Sequence, residues 1–141
     1  MILLDPEHIA ALTANTATSR AAQEEGKRDP DHVPVVKLFN PIGAATWLAT
    51  ELLEDGDTLF GLADLGFGCP ELGYFSLNEI SQVRLPFGLR VERDIGFGGI
   101  VPLSKWAETA RAAGSIIHAQ ALIRAIAEKD GPAPAGDKPS E

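Results

Sequence analysis

Short apolar runs bounded by turn residues fill the middle of this chain, with alternation over 89–95, whereas apolar positions recur every third or fourth residue near its ends, which predicts a strand-rich centre between helical flanks. Asp5 suits a helix N-cap, Pro6 the first helical position and Glu7 the positive helix end, so Ile9 and Leu12 mark the stripe of a helix over 6–13. Residues 13–19 are rich in Thr and Asn, where that helix is expected to weaken, and 23–32 reads as a charged loop. Strands are predicted over 33–39, 45–53, 58–65 and 89–95, with Pro34 confining the first to a strand start or an edge. Glu54-Asp55-Gly56-Asp57 separates the second and third, and an Asp-Gly pair between apolar runs is a strong hairpin signal. Residues 66–73 read as a glycine-rich connection, and Ser76-Leu-Asn-Glu79 as a capping box that opens a short helix.

The clearest helix runs over 103–113, where Leu103, Trp106, Ala107 and Ala110 keep i, i+3, i+4, i+7 spacing between Pro102 and Gly114. Ser115 can cap a further helix over 116–128, with Ile116, Ala119, Leu122, Ile123 and Ile126 as its apolar face. These elements define one α+β domain over 1–129: a mainly antiparallel sheet of four to five strands, with helices packed on one face. Its expected core is Leu38, Trp47, Leu59, Leu62, Leu65, Leu89, Val91, Leu103 and Trp106. Residues 130–141, dominated by Pro, Ala and Gly, are expected to form a disordered tail.

Two similar words stand in the centre. Residues 60–68 read Phe-Gly-Leu-Ala-Asp-Leu-Gly-Phe-Gly, while Phe87-Gly-Leu is followed by Asp94-Ile-Gly-Phe-Gly98. They describe backbone geometry, and Gly66 or Gly68 is expected at positive φ. The glycines match neither the dinucleotide fingerprint nor the phosphate loop, and Asp64 and Glu71 flank them with the wrong charge for phosphate.

Charge distribution adds more than its total of −8. Between Lys37 and Arg84 there is no Lys or Arg, yet seven acids lie there: Glu51, Glu54, Asp55, Asp57, Asp64, Glu71 and Glu79. From Arg84 to Lys129 seven basic residues face four acidic ones. Unless that half folds across it, the acidic stretch repels a phosphate backbone and attracts a basic protein, so a protein partner with a basic surface is expected and direct nucleic-acid binding is not. Glu54, Asp55 and Asp57 at the hairpin tip are the candidate partner-binding residues. The alternative reading gathers Glu51, Asp64, Glu71, Glu92 and Asp94 into an acidic cluster for a small metal-assisted hydrolase or nucleotide-modifying enzyme. Their spacing matches no metal cage, so no metal or other cofactor is expected.

Cys69, the one cysteine, excludes an internal disulfide framework; between acids and without a nearby histidine it reads as buried or half-buried filler. Trp47 and Trp106 read as core anchors with the indole N–H satisfied locally. No apolar run approaches the roughly 20 residues of a membrane-spanning helix. The N-terminus lacks the basic start and long apolar core of a signal peptide, so a cytoplasmic location is expected.

Several longer words carry a resemblance. Lys37-Leu-Phe-Asn-Pro41, Gly43-Ala-Ala-Thr-Trp-Leu48, the word at 60–68, Pro70-Glu-Leu-Gly73, Ser76-Leu77 and Glu92-Arg-Asp94 resemble a bacterial family of uncharacterised proteins, domain of unknown function 2958. The likeness runs from about Leu4 to Gly114, leaving the last helix and the tail as an extension. It implies a bacterial cytosolic protein of a family often carried on mobile genetic elements beside anti-restriction genes, and it transfers no catalytic residue. The expected function is a non-enzymatic, protein-binding accessory factor of such an element.

Overall fold

A computed structural model describes residues 3–130. The chain runs α1 (Pro6–Glu24), β1 (Val36–Phe39), β2 (Thr46–Leu52), β3 (Thr58–Asp64), β4 (Glu71–Ser76), α2 (Leu77–Gln82), a 3-10 turn (Pro86–Gly88), β5 (Glu92–Arg93), α3 (Leu103–Ala113) and α4 (Ile116–Asp130). The strands form one antiparallel sheet in the order β4-β3-β2-β1-β5, so the fold is α+β with an open sheet. The predicted hairpin is present: β2 pairs β3 from Thr46↔Asp64 to Leu52↔Leu59, with a bulge between Ala49 and Glu51. Gly61 lies where the strands approach so closely that a Cβ would stand 1.8 Å from the Leu48 carbonyl oxygen. Only glycine fits there.

Helices cover both faces of the sheet, which corrects the expected single covered face. Leu48 and Ala49 are neighbours on β2 and therefore point to opposite sides. Leu48 packs with Leu62 against Leu103, Trp106, Ile116 and Ile123 of α3 and α4. Ala49 packs with Val36, Leu52 and Leu59 against Leu4 and Leu12 of the N-terminal segment and α1. The crossover from β4 to β5 passes over the α1 side, where Ile80 of α2 meets Leu3, Leu38 and Val91.

α1 does not weaken at 13–19 but continues to Glu24, because its polar residues have sheet partners. β1 begins at Val36 opposite Ala49, so the carbonyls of Thr50 and Leu52 lie beyond its reach. Asn15 Nδ2 donates to the Thr50 carbonyl at 2.8 Å, and Thr16 Oγ1 to the Leu52 carbonyl at 2.7 Å. Side chains of a helix thus replace a missing strand, satisfying carbonyls that would otherwise be orphaned.

Other boundaries shift for similar tertiary reasons. The first strand starts at Val36, leaving Pro34 outside the ladder. Residues 71–73 of the expected connection, with 74–76 after them, form β4, which pairs with Thr58–Ala63 of β3. Only Glu92–Arg93 of the predicted 89–95 strand pairs, at the far edge. The repeated words part company here: Phe60-Gly-Leu lies in β3, whereas Phe87-Gly-Leu enters the 3-10 turn with Phe87 at φ 64°.

Of the expected core, Leu38, Leu59, Leu62, Val91, Leu103 and Trp106 are buried. Trp47 is half-buried near the start of the central strand β2, Leu89 is half-buried just after the 3-10 turn, and Leu65 is exposed in the loop after β3. Trp106 is fully buried and its indole N–H donates to the Gly99 carbonyl at 2.6 Å, the local partner expected. Gly66 and Gly68 both hold positive φ, 91° and 83°, and Gly114 closes α3 at φ 87°. On α4, Ile116, Ala119 and Ile123 are buried, whereas Leu122 and Ile126 lie outside the contact with α3 and are exposed. Asp130 closes α4, and the rest of the predicted tail, 131–141, lies outside the described residues.

Candidate functional site

The three acids at the β2–β3 tip are committed within the fold. Glu54 takes a forked pair from Arg20 of α1, with Nε at 2.9 Å and Nη2 at 3.1 Å. Those bonds hold its carboxyl below the usual carboxylate range and raise the Arg20 guanidinium. Asp55 accepts from the Thr58 hydroxyl at 2.5 Å and from the amides of Thr58 and Asp57 at 2.8 and 2.9 Å. These bonds, led by the Thr58 hydroxyl, lower its pKa as well. Asp57 accepts from Ser76 Oγ and the Asn78 amide, each at 2.7 Å, joining the tip to the start of α2.

The five acids of the alternative cluster are dispersed. Asp64 at the end of β3 is fully buried and accepts from the Gly66 and Ile116 amides, each at 2.9 Å, which caps α4. Glu51 lies near the other end of the same hairpin. Asp94 stands 3.5 Å from Lys37, whose Nζ also donates to Gln120 Oε1 at 2.6 Å. Glu92 is half-buried on β5, and Glu71 is exposed on β4 at the opposite sheet edge. Among the described residues no three His, Cys, Asp or Glu side chains are grouped to hold a metal ion.

Folding does create one polar cluster that sequence spacing hides. Ser19 Oγ donates to Glu51 Oε2 at 2.7 Å and lies 3.1 Å from His32 Nε2, with His32 and Glu51 3.7 Å apart. Beside it, a cleft of about 130 Å³ is lined by Asp29, Asp31, Phe60 and Leu72 among others, with Asp31 already bonded to the Ser104 amide and hydroxyl. A serine nucleophile needs its proton directed at the imidazole, with the carboxylate on the far ring nitrogen. Here the one hydroxyl proton goes to the carboxylate and Ser19 is buried. The cluster ties α1 and the following loop to β2.

The open surface lies at β4, the feature that the sequence reading missed. Leu77 donates to the Asp57 carbonyl, extending the β3–β4 ladder by one hydrogen-bonded pair. Pairs in an antiparallel ladder alternate, so residues 71, 73 and 75 bond β3, while Leu72 and Tyr74 turn their N–H and C=O groups outward. Among the described residues those outward groups take no hydrogen-bond partner. Tyr74 is 66% exposed and Leu72 41%, and Phe67 at the loop tip is 84% exposed between the two left-handed glycines. A concavity of about 240 Å³ is lined by Ala63, Leu65, Phe67, Cys69 and Glu71. Cys69 is exposed on that loop, which corrects its reading as filler. The signal that could have revealed β4 is the Leu-Gly-Tyr-Phe run ahead of the Ser76 cap.

The fold and this surface define an α+β protein with an open antiparallel sheet, one edge of which has no hydrogen-bond partner among the described residues. The chain belongs to the family described as "Protein of unknown function (DUF2958)", whose model matches residues 3–117 and so ends two residues into α4. No curated protein and no solved structure matches the chain. No helix among the described residues is long and apolar enough to cross a membrane.

Proposed function

We propose that this protein is a non-enzymatic binding factor that engages a protein with a basic surface through the region 51–79. The observation that supports this reading is the bare β4 edge, with Phe67, Leu72 and Tyr74 exposed, inside a stretch without a single Lys or Arg. An exposed strand edge with apolar flanks is a recurrent site of protein association. The surrounding negative field speeds encounter with a basic partner and opposes phosphate. An accessory role on a bacterial mobile element, including action against host defence, draws its support from the family resemblance.

Glu54, Asp55 and Asp57 contribute to that field while serving the fold, so reversing their charge would disturb the hairpin. Glu71 and Glu79 are exposed and better suited to a test. Proteins captured from a bacterial lysate by the full chain are identified, purified and rebound at increasing ionic strength. Association should slow with added salt, and again in a Glu71→Lys, Glu79→Lys variant that keeps its unfolding midpoint. Binding to duplex DNA at physiological salt that survives both changes would overturn the proposal.

A further inference from the structure

We infer that β4 receives an extended segment of the partner as a sixth strand, and that this segment alternates apolar with basic residues. The inference rests on the binding reading above and adds its geometry. Leu72 and Tyr74 offer two outward N–H and two outward C=O groups in register, the arrangement used in strand addition. Native sheets blunt such edges with lysine, proline or a bulge. β4 carries neither residue within Glu71–Ser76 and pairs with β3 without a register shift.

The two sides of β4 present different chemistry. Tyr74 stacks on Phe60 at 5.0 Å between ring centroids, and Phe60 packs against the α3–α4 core, so Leu72 and Tyr74 flank that side. Residues directly opposite each other in a ladder share a face, so the incoming residues beside Leu72 and Tyr74 should be apolar. Glu71, Gly73 and Phe75 point to the other face, the one that carries α2 with its exposed Glu79. There the concavity between Phe67 and Glu71 offers apolar wall and carboxylate together, which suits the long stem and charged head of Lys or Arg. Gly73 adds no bulk beside it: a Cβ at that position would meet nothing within 4 Å.

Charge argues against a second copy of the chain as the occupant. Pairing β4 with itself would bring together two stretches that hold seven acids each and no base, on chains of net charge −8.

Amide hydrogen exchange on the full chain tests the inference, with a short synthetic peptide of alternating valine and lysine as probe and its valine–glutamate counterpart as control. The basic peptide should slow exchange at Leu72 and Tyr74 by roughly tenfold or more, with smaller changes at Gly73 and Phe75, whose amides already bond β3. Tyr74→Pro removes an outward N–H that the β3 ladder does not use and should abolish the effect. Should that variant fail to fold, Leu72→Lys supplies a second test, placing a cation on the edge that should weaken peptide binding about tenfold. The inference is overturned if the basic peptide gives no saturable slowing, if the acidic peptide slows the same amides equally, or if it binds while leaving them unchanged. Concentration-dependent protection without peptide would identify a second copy as the occupant and overturn it too. A purified basic partner that binds in a salt- and Glu71-dependent way but leaves both amides fast would sink this inference while the proposed function stands.

Discussion

α1 and α3 pack on opposite faces of one sheet and are held there by different forces. α3 buries Leu103, Trp106, Ala107 and Ala110 along a single stripe, with Trp106 in contact range of Phe97 at 5.9 Å between rings. α1 is longer, 19 residues against 11, yet its buried positions are Leu12, Thr16 and Ser19. Two of those three are hydroxyls bonded to β2. Apolar burial is non-directional and tolerates small adjustments, whereas a buried hydrogen bond contributes modestly when made and costs more when one partner is removed. The α3 side should therefore respond to lost volume, and the α1 side to lost polar groups.

The largest effect expected is on the apolar side. Trp106→Ala removes the biggest fully buried side chain and the donor to Gly99, and should lower stability by about 3–5 kcal/mol. An unchanged denaturant midpoint would show that α3 does not depend on that anchor. On the polar side, Thr16→Val keeps the shape but strands the Leu52 carbonyl, and should cost roughly 1–3 kcal/mol. A stability within experimental error of the parent chain would erase the contrast between the two helices.

Acid should separate the sides with the smallest effect. Glu54 joins the β2–β3 tip to Arg20 near the end of α1, and both Glu54 and Asp55 have carboxyl pKa values depressed by bonds made only in the fold. A depressed folded-state value means that the stabilisation is present above the unfolded pKa and is lost as pH falls through the folded one. As pH drops below the ordinary carboxylate range, amides near the end of α1 should lose exchange protection before those of α3. Loss of both together, or of α3 first, would mean that the tip does not hold α1.

The same contrast explains how much was legible in the sequence. α3 was readable to its boundaries because its stripe, Pro102 and Gly114 lie within one short window. The β2–β3 hairpin was readable because an Asp-Gly turn and two apolar runs are local signals. The local sequence predicts an end to α1 near residue 13, since Thr and Asn are poor interior helix formers unless something engages their side chains. The carbonyls that engage Asn15 and Thr16 are 35 and 36 residues away. β4 was hidden for a related reason: Gly73 and a short alternation weaken its pattern, and pairing with β3 supplies the order. The acidic residues were the least legible, because composition marked a negative stretch without telling a helix cap from a hairpin clasp or an exposed edge.

By itself the sequence determined the features that depend on a residue and its close neighbours: the left-handed glycines at 66 and 68, the caps at Ser76 and Gly114, the central hairpin and the amphipathic α3. Tertiary structure alone decided which face each helix covers, where α1 stops, that β4 is an open edge and what each carboxylate does. Asp64 illustrates the division, since its partner amide at Ile116 stands 52 residues further along the chain. Backbone conformation is set by sterics within a few bonds, whereas the role of a charge is set by whichever donors the packed chain places within hydrogen-bond reach.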